Sequence, residues 1–169
     1  MASSGRRDSR ELLALALASF SALGAQVAMT RVLSLKYAAN QTFLVVSFAV
    51  LGLAIGAALC HRWRASTALA AQAPARGMLL LSGGLLLLLG SFYADLSATQ
   101  QILLVPLPFI GVGLCVAAVF ARGASRAGAL YAVDLVGAAL GAYGTAPLLD
   151  AVPAPTALGL FAAAAAVAA

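Results

Sequence analysis

Four residues inside long apolar runs carry side chains able to do chemistry: Gln26, Thr30 and Arg31 in AQVAMTRVL, and Asp134 in YAVDLVGAALGAYG. An ionised Asp in mid-span costs on the order of 3 kcal/mol by insertion scales, so it calls for a partner or a bound proton. Two pairings are open. Arg31 can reach it if the first and fifth apolar runs pack with Asp134 toward the outer side, or Asp134 lies near the inner interface and pairs with Arg122 or Arg126. Gln26 and Thr30 can hydrogen-bond across helices in either case. Steps of three and four residues put Tyr131, Asp134, Gly137, Gly141 and Gly144 on one stripe, opposite Leu135, Ala139, Leu140 and Ala142. Such a helix turns its small, polar face to protein and its large apolar face to lipid. Gly52 and Gly56 repeat the small-xxx-small spacing on an earlier run.

Other chemistries find little material. The single His, His61, sits in HRWR (His61 to Arg64), which reads as an interfacial anchor rather than a pH switch. Cys60 and Cys115 have no CxxC partner, so they read as packing residues, and neither a disulfide framework nor a metal site is implied. Gly111 and Gly113 follow no strand and lack a third glycine, so no nucleotide cofactor is implied either. Pro106 and Pro108 should break a helix, since proline removes a backbone donor and crowds the preceding turn.

The elements that position these residues follow from composition. Of 169 residues, 63% are hydrophobic and 9% charged, and mean hydropathy is +1.03. That is too little polar surface to cover a water-soluble globule. The expectation is an all-α integral membrane bundle of about five to six transmembrane helices. A polar tail covers 1–10, with Asp8 and Glu11 at capping-box spacing, and a transmembrane domain covers 11–169. Its spans lie near 11–35, 41–60, 77–94, 102–121, 129–149 and 156–169, the last short of a full crossing. Residues 66–76 read as a loop closed by Pro74, the leucine-rich 77–93 run as the span that faces lipid most widely, SATQQ as a turn, and Asp150 with Pro153 and Pro155 as another. A secretory signal is disfavoured because the helical pattern runs on through Gln26 to Leu35.

The net charge of +5 comes from basic residues dispersed at the ends of apolar runs, which marks topology rather than nucleic-acid binding. With the N-terminus inside, Arg6, Arg7, Arg10, Arg62, Arg64, Arg76, Arg122 and Arg126 are cytoplasmic, and Asp95 and Asp150 lie outside. Arg31 and Lys36 violate the pattern, so they either snorkel or do something specific. Six runs divide three and three, and Tyr37 to Asn40 (YAAN) echoes Tyr131 to Asp134 (YAVD), a weak sign of an inverted repeat.

The ordered motifs GAQVAMTRVLSL, GLAIGAAL, PFIGVGL and AGALYAVDLVGAALGA resemble the membrane domain of the spermidine synthase-like integral membrane proteins, over about Leu17 to Leu149. In that family the first motif usually carries Glu where this chain has Gln26 and Trp where it has Met29, while Thr30 and Arg31 match. The resemblance implies a bacterial inner-membrane location and, in many members, an attached aminopropyltransferase-like domain, which is missing from this sequence, so aminopropyl transfer is not expected of this chain alone. Two functions follow as expectations. The preferred one is a non-enzymatic subunit or scaffold that packs against other membrane subunits, or holds a soluble enzyme domain, through its glycine faces. The alternative is a small amine or solute transporter or channel, working as a homo-oligomer, with Asp134 and the Pro106/Pro108 break lining its path.

Overall fold

The computed structural model describes residues 2–36, 41–63, 67–94 and 96–169. The expectations placed on Tyr37 to Asn40, Arg64 and Asp95, and on the side chains of Arg6, Arg7, Asp8, Arg10 and Lys36, lie outside what it describes. Among the described residues every regular element is helical: α1 (Ala2–Lys36), α2 (Gln41–Trp63), α3 (Thr67–Tyr93), α4 (Ala98–Leu104), α5 (Pro106–Arg122), α6 (Ala127–Ala151) and α7 (Ala154–Val167). Five stretches are long and apolar enough to cross a membrane, namely Glu11–Ser34, Phe43–Trp63, Leu69–Tyr93, Ala98–Arg122 and Ala124–Ala151. The chain is thus an all-α membrane bundle, with lipid as the surrounding medium for its apolar outer faces.

Several boundaries depart from the sequence expectation. α1 starts six residues before Asp8, so Asp8 and Glu11 sit within the helix rather than capping it. α3 begins at Thr67 and carries Pro74 inside it. The segment expected to be a loop is helical because a partner repairs the defect. Proline has no N–H for the carbonyl four residues back, which leaves the Ala70 carbonyl free, and Arg122 Nη2 from α5 donates to the carbonyls of Ala70 and of Ala71, the latter at 2.8 Å. SATQQ likewise opens a helix rather than a turn, with Ser97 and Gln100 forming a capping box at the start of α4. Asp150 belongs to the last turn of α6, and the chain turns at Val152 and Pro153.

The Pro106/Pro108 break is milder than expected. Val105, between α4 and α5, keeps helical angles (φ −54°, ψ −43°), and its N–H bonds the Ile102 carbonyl at 3.1 Å. That carbonyl is the one Pro106 leaves without a donor, so a tightened turn closes the gap and α4 and α5 cross the membrane as one bent unit. α7 has only 14 residues, about 21 Å at 1.5 Å per residue, so it ends well short of a bilayer core.

Close glycine contacts fix how the helices run. On α6, Gly137 lies against the Ala16 carbonyl and Gly141 against the Phe20 carbonyl of α1, and Thr145 faces Gly24. On α2, Gly52 meets the Pro106 carbonyl and Gly56 the Ile110 carbonyl of α5. In both seams the two helices advance together in steps of four, so α6 runs parallel to α1 and α2 parallel to α5, ridge along ridge. α3 is antiparallel to α5, with Gly77 on Gly111 and Gly84 on Pro108.

Exchanging α1, α2 and α3 for α5, α6 and α7 maps one parallel seam onto the other. It also maps the α3–α5 contact onto α7–α1, where Gly24 packs on Phe161. The two halves therefore carry corresponding seams with their helices reversed, as an inverted repeat requires. The correspondence is incomplete, because α1 also packs on α2, while α5 and α6 make no comparable contact.

The buried core lies between α1, α3, α5 and α7, around Leu15, Met29, Leu81, Phe109 and Phe161. α6 is the most lipid-exposed of the five spans, with 17% of its apolar stretch buried against 44% for the leucine-rich α3. This reverses the expectation for α3, whose leucines at 81, 85 and 88 are core residues.

Candidate functional site

The α1–α6 seam holds the Ser19–Asp134 contact with an ion pair toward each end, and it is built from the spacing of small residues. Gly137 and Gly141 are buried, and a Cβ at either would collide with backbone of α1. The stripe continues at Thr145, fully buried, whose hydroxyl lies 2.6 Å from its own Gly141 carbonyl and 3.3 Å from Gly24 O across the seam. Gly144, expected on this face, has nothing near the position of a Cβ. A ridge advancing by four passes through 137, 141 and 145, leaving 144 to one side. Tyr131, also expected on the stripe, is 57% exposed. The lipid-facing residues Leu135 and Leu140 are exposed as expected.

Asp134 is half-buried in this seam and meets neither Arg31 nor the inner arginines. Its Oδ1 is in hydrogen-bond contact with Ser19 Oγ of α1, and Ser19 Oγ also lies 3.0 Å from the Leu15 carbonyl. With one proton to give, the hydroxyl donates to one of these at a time. The expected pairing with Arg122 or Arg126 fails on reach and on prior engagement. Asp134 stands eight residues beyond Arg126, about 12 Å along the axis. Arg126 Nη2 is held by Glu11 Oε2 at 3.0 Å, and Arg122 is held at the Pro74 kink.

Arg31, the cation that broke the topology pattern, pairs with Asp150 at 3.4 Å in an exposed contact between the far ends of α1 and α6. The seam thus carries an ion pair at each end and the Ser19–Asp134 contact between them. Thr30 bonds only the Val27 carbonyl of its own helix at 2.9 Å. Gln26, half-buried, makes no side-chain hydrogen bond among the described residues. Gln26, Thr30, Arg31 and Asp134 are therefore not brought together into one centre.

Pro106 and Pro108 lie on the other seams, against Gly52 and Gly84, and not on the α1–α6 seam that holds Asp134. No group of three or more metal-ligating side chains occurs among the described residues. Cys60 and Cys115 are both buried, and neither is in a disulfide. Of the cluster read as an interfacial anchor, His61 and Arg62 are exposed, and Arg76 of α3 lies over the Trp63 ring at 5.9 Å.

Sequence reasoning missed Ser19 and Glu11 as partners and offered Arg122 to Asp134 rather than to the Pro74 kink. A serine among Ala18, Ala22 and Ala25 gives no sign of its partner. The Pro74 and Arg122 contact had a signal, since a proline within reach of an apolar run frees a carbonyl that some donor must meet. No family model matches the chain, and no curated protein or solved structure matches it.

Proposed function

We propose that this chain is a non-enzymatic membrane subunit or scaffold, similar to the membrane domain of the spermidine synthase-like proteins. It sits in a bacterial inner membrane with its N-terminus cytoplasmic and holds another membrane subunit or a soluble enzyme domain. The observation that carries the reading is the division of labour on α6. Its small face is consumed by α1 within the chain, while Leu135, Val136, Leu140 and Tyr143 stand 49–85% exposed on the other face. The glycine faces therefore stiffen the subunit, and the large apolar side chains of α6 are the surface it offers to a partner.

The test is purification of the full chain in mild detergent, with a photocrosslinker placed at Leu140 and, as control, at Leu86 of α3. A defined protein adduct from Leu140 alone is expected. A monodisperse monomer that yields lipid adducts from both positions refutes the reading.

A second reading, a small-solute transporter, is favoured by the corresponding inverted seams. Asp134→Asn separates the two. A transporter that uses this carboxylate loses uptake while its assembly stays intact. A scaffold keeps its partner, because an amide can still hydrogen-bond Ser19.

A further inference from the structure

Beside the α1–α6 seam runs a polar stripe that the bundle does not use up. Ser19, Gln26 and Thr30 recur at steps of seven and four, so they lie on one line of α1 with Leu23 between them. Ala16 and Phe20 of the same helix meet α6, and the next step, Gly24, meets Phe161 of α7. The stripe is on the opposite flank of the seam, the flank on which Asp134 reaches Ser19. There α1 passes between α6 and the α2/α5 pair, which make no comparable contact with α6 among the described residues. The result is a furrow about 16 Å long from Ser19 to Thr30, floored by α1 and open along Leu23, Gln26 and Thr30, each partly exposed.

The groups along it are unequally satisfied. Ser19 has Asp134 and the Leu15 carbonyl. Thr30 gives its proton to the Val27 carbonyl at 2.9 Å, which leaves it only acceptor lone pairs. Gln26 has no side-chain hydrogen bond among the described residues, and it stands about 5 Å along the axis from the middle of the Glu11–Ser34 stretch. Hydrocarbon offers that amide neither donor nor acceptor, so it is met by protein or left unpaired at a cost. Its complement is narrow. An amide carries two N–H donors and a carbonyl acceptor; an ammonium satisfies only the carbonyl, and an acyl chain neither.

We propose that the furrow seats a transmembrane helix of a partner subunit whose Asn, Gln, Ser or Thr side chain pairs with Gln26. A side chain of that class donates and accepts in one group, and the edge of a helix matches a straight furrow whose open polar positions, Gln26 and Thr30, are one turn apart. The inference rests on the subunit reading above and adds the depth and the chemistry of the contact.

The experiment presents the full chain in mild detergent with a polyleucine transmembrane peptide carrying one central Asn, and with its all-leucine counterpart, at a concentration where neither peptide self-associates. Binding is read by Förster transfer from a donor on the peptide to an acceptor on the chain. Binding of the Asn peptide at least about fivefold tighter is expected. Gln26→Leu should remove that preference and leave the SDS unfolding midpoint of the chain alone no lower, since Gln26 holds nothing within the fold. Equal binding of the two peptides by the unaltered chain, a preference that survives in Gln26→Leu, or a lowered midpoint overturns the proposal. So does a dimer of the chain that Gln26→Leu dissolves, which assigns the furrow to a second copy. Equal peptide binding alongside an intact Leu140 adduct rejects this inference and leaves the subunit reading standing.

Discussion

Gly56→Ala isolates the physical cause of the fold, because the added methyl has nowhere to go. A Cβ there would fall on the Ile110 carbonyl oxygen, 2.7 Å from Leu114 N and 3.0 Å from the Gly113 carbonyl carbon. All three are backbone atoms of α5, so no side-chain rotation relieves the contact and α2 and α5 must part. Overpacking of this kind costs about 1–3 kcal/mol. Alanine recovers about 1 kcal/mol of helix propensity over glycine, which leaves a net loss of about 1 kcal/mol. Gly144→Ala is the matched control. With nothing near its Cβ position, it keeps only the propensity gain, up to about 1 kcal/mol in the stabilising direction. Unfolding of both variants in mixed micelles by increasing SDS, followed by helical circular dichroism, gives the midpoints. Shifts of opposite sign are expected; a shared sign would refute the claim that backbone contact at Gly56, and not glycine's flexibility, holds the seam.

Three further outcomes follow from the same geometry. In a double-mutant cycle of Ser19→Ala and Asp134→Leu, the SDS unfolding midpoints should give a coupling of about 1 kcal/mol, as expected for an interhelical hydrogen bond within a membrane; additive effects would mean that the two side chains do not interact. Arg31→Gln should change stability by no more than about 0.5 kcal/mol, since its pair with Asp150 is exposed on both sides, and a larger loss in the same titration would assign Arg31 another role. Cys60 and Cys115 should both resist a maleimide until the bundle is unfolded, because both thiols are buried; rapid labelling of the native protein, read by mass, would place one of them at a surface.

Fold class and the approximate spans were legible because periodicity and hydropathy are local properties. The small faces of α2 and α6 were legible for the same reason, as Gly52, Gly56, Gly137 and Gly141 repeat at the spacing of one helical ridge. What the ridges meet was not. Ser19 and Asp134 are 115 positions apart, and nothing in either neighbourhood encodes the register that joins them. Gly144 was placed wrongly because an ideal helix returns residue 144 close to the azimuth of 137, whereas two ridges that advance by four drift away from it. Pro74 misled for a related reason: a breaker predicts a break only if no other chain segment supplies the missing donor, and Arg122 lies 48 positions away. Arg31 was rightly singled out as anomalous, and its partner Asp150 was read only as part of a turn.

The parallel arrangement of α1 and α6 has a consequence for how the polypeptide is made. Helices that neighbour each other in sequence can pair as soon as both have entered the bilayer, but two that run in the same direction must wait for everything between them. Ser19 and the grooved side of α1 therefore stay unmatched while nearly a hundred residues, Lys36 to Ala127, leave the ribosome. During that interval α1 is a half-finished surface open to any helix with small residues at the right spacing. The Glu11–Arg126 and Arg31–Asp150 pairs at the two ends of the seam give the arriving α6 a preferred register, and they do so late in assembly, when a wrong partner already seated on α1 must be displaced.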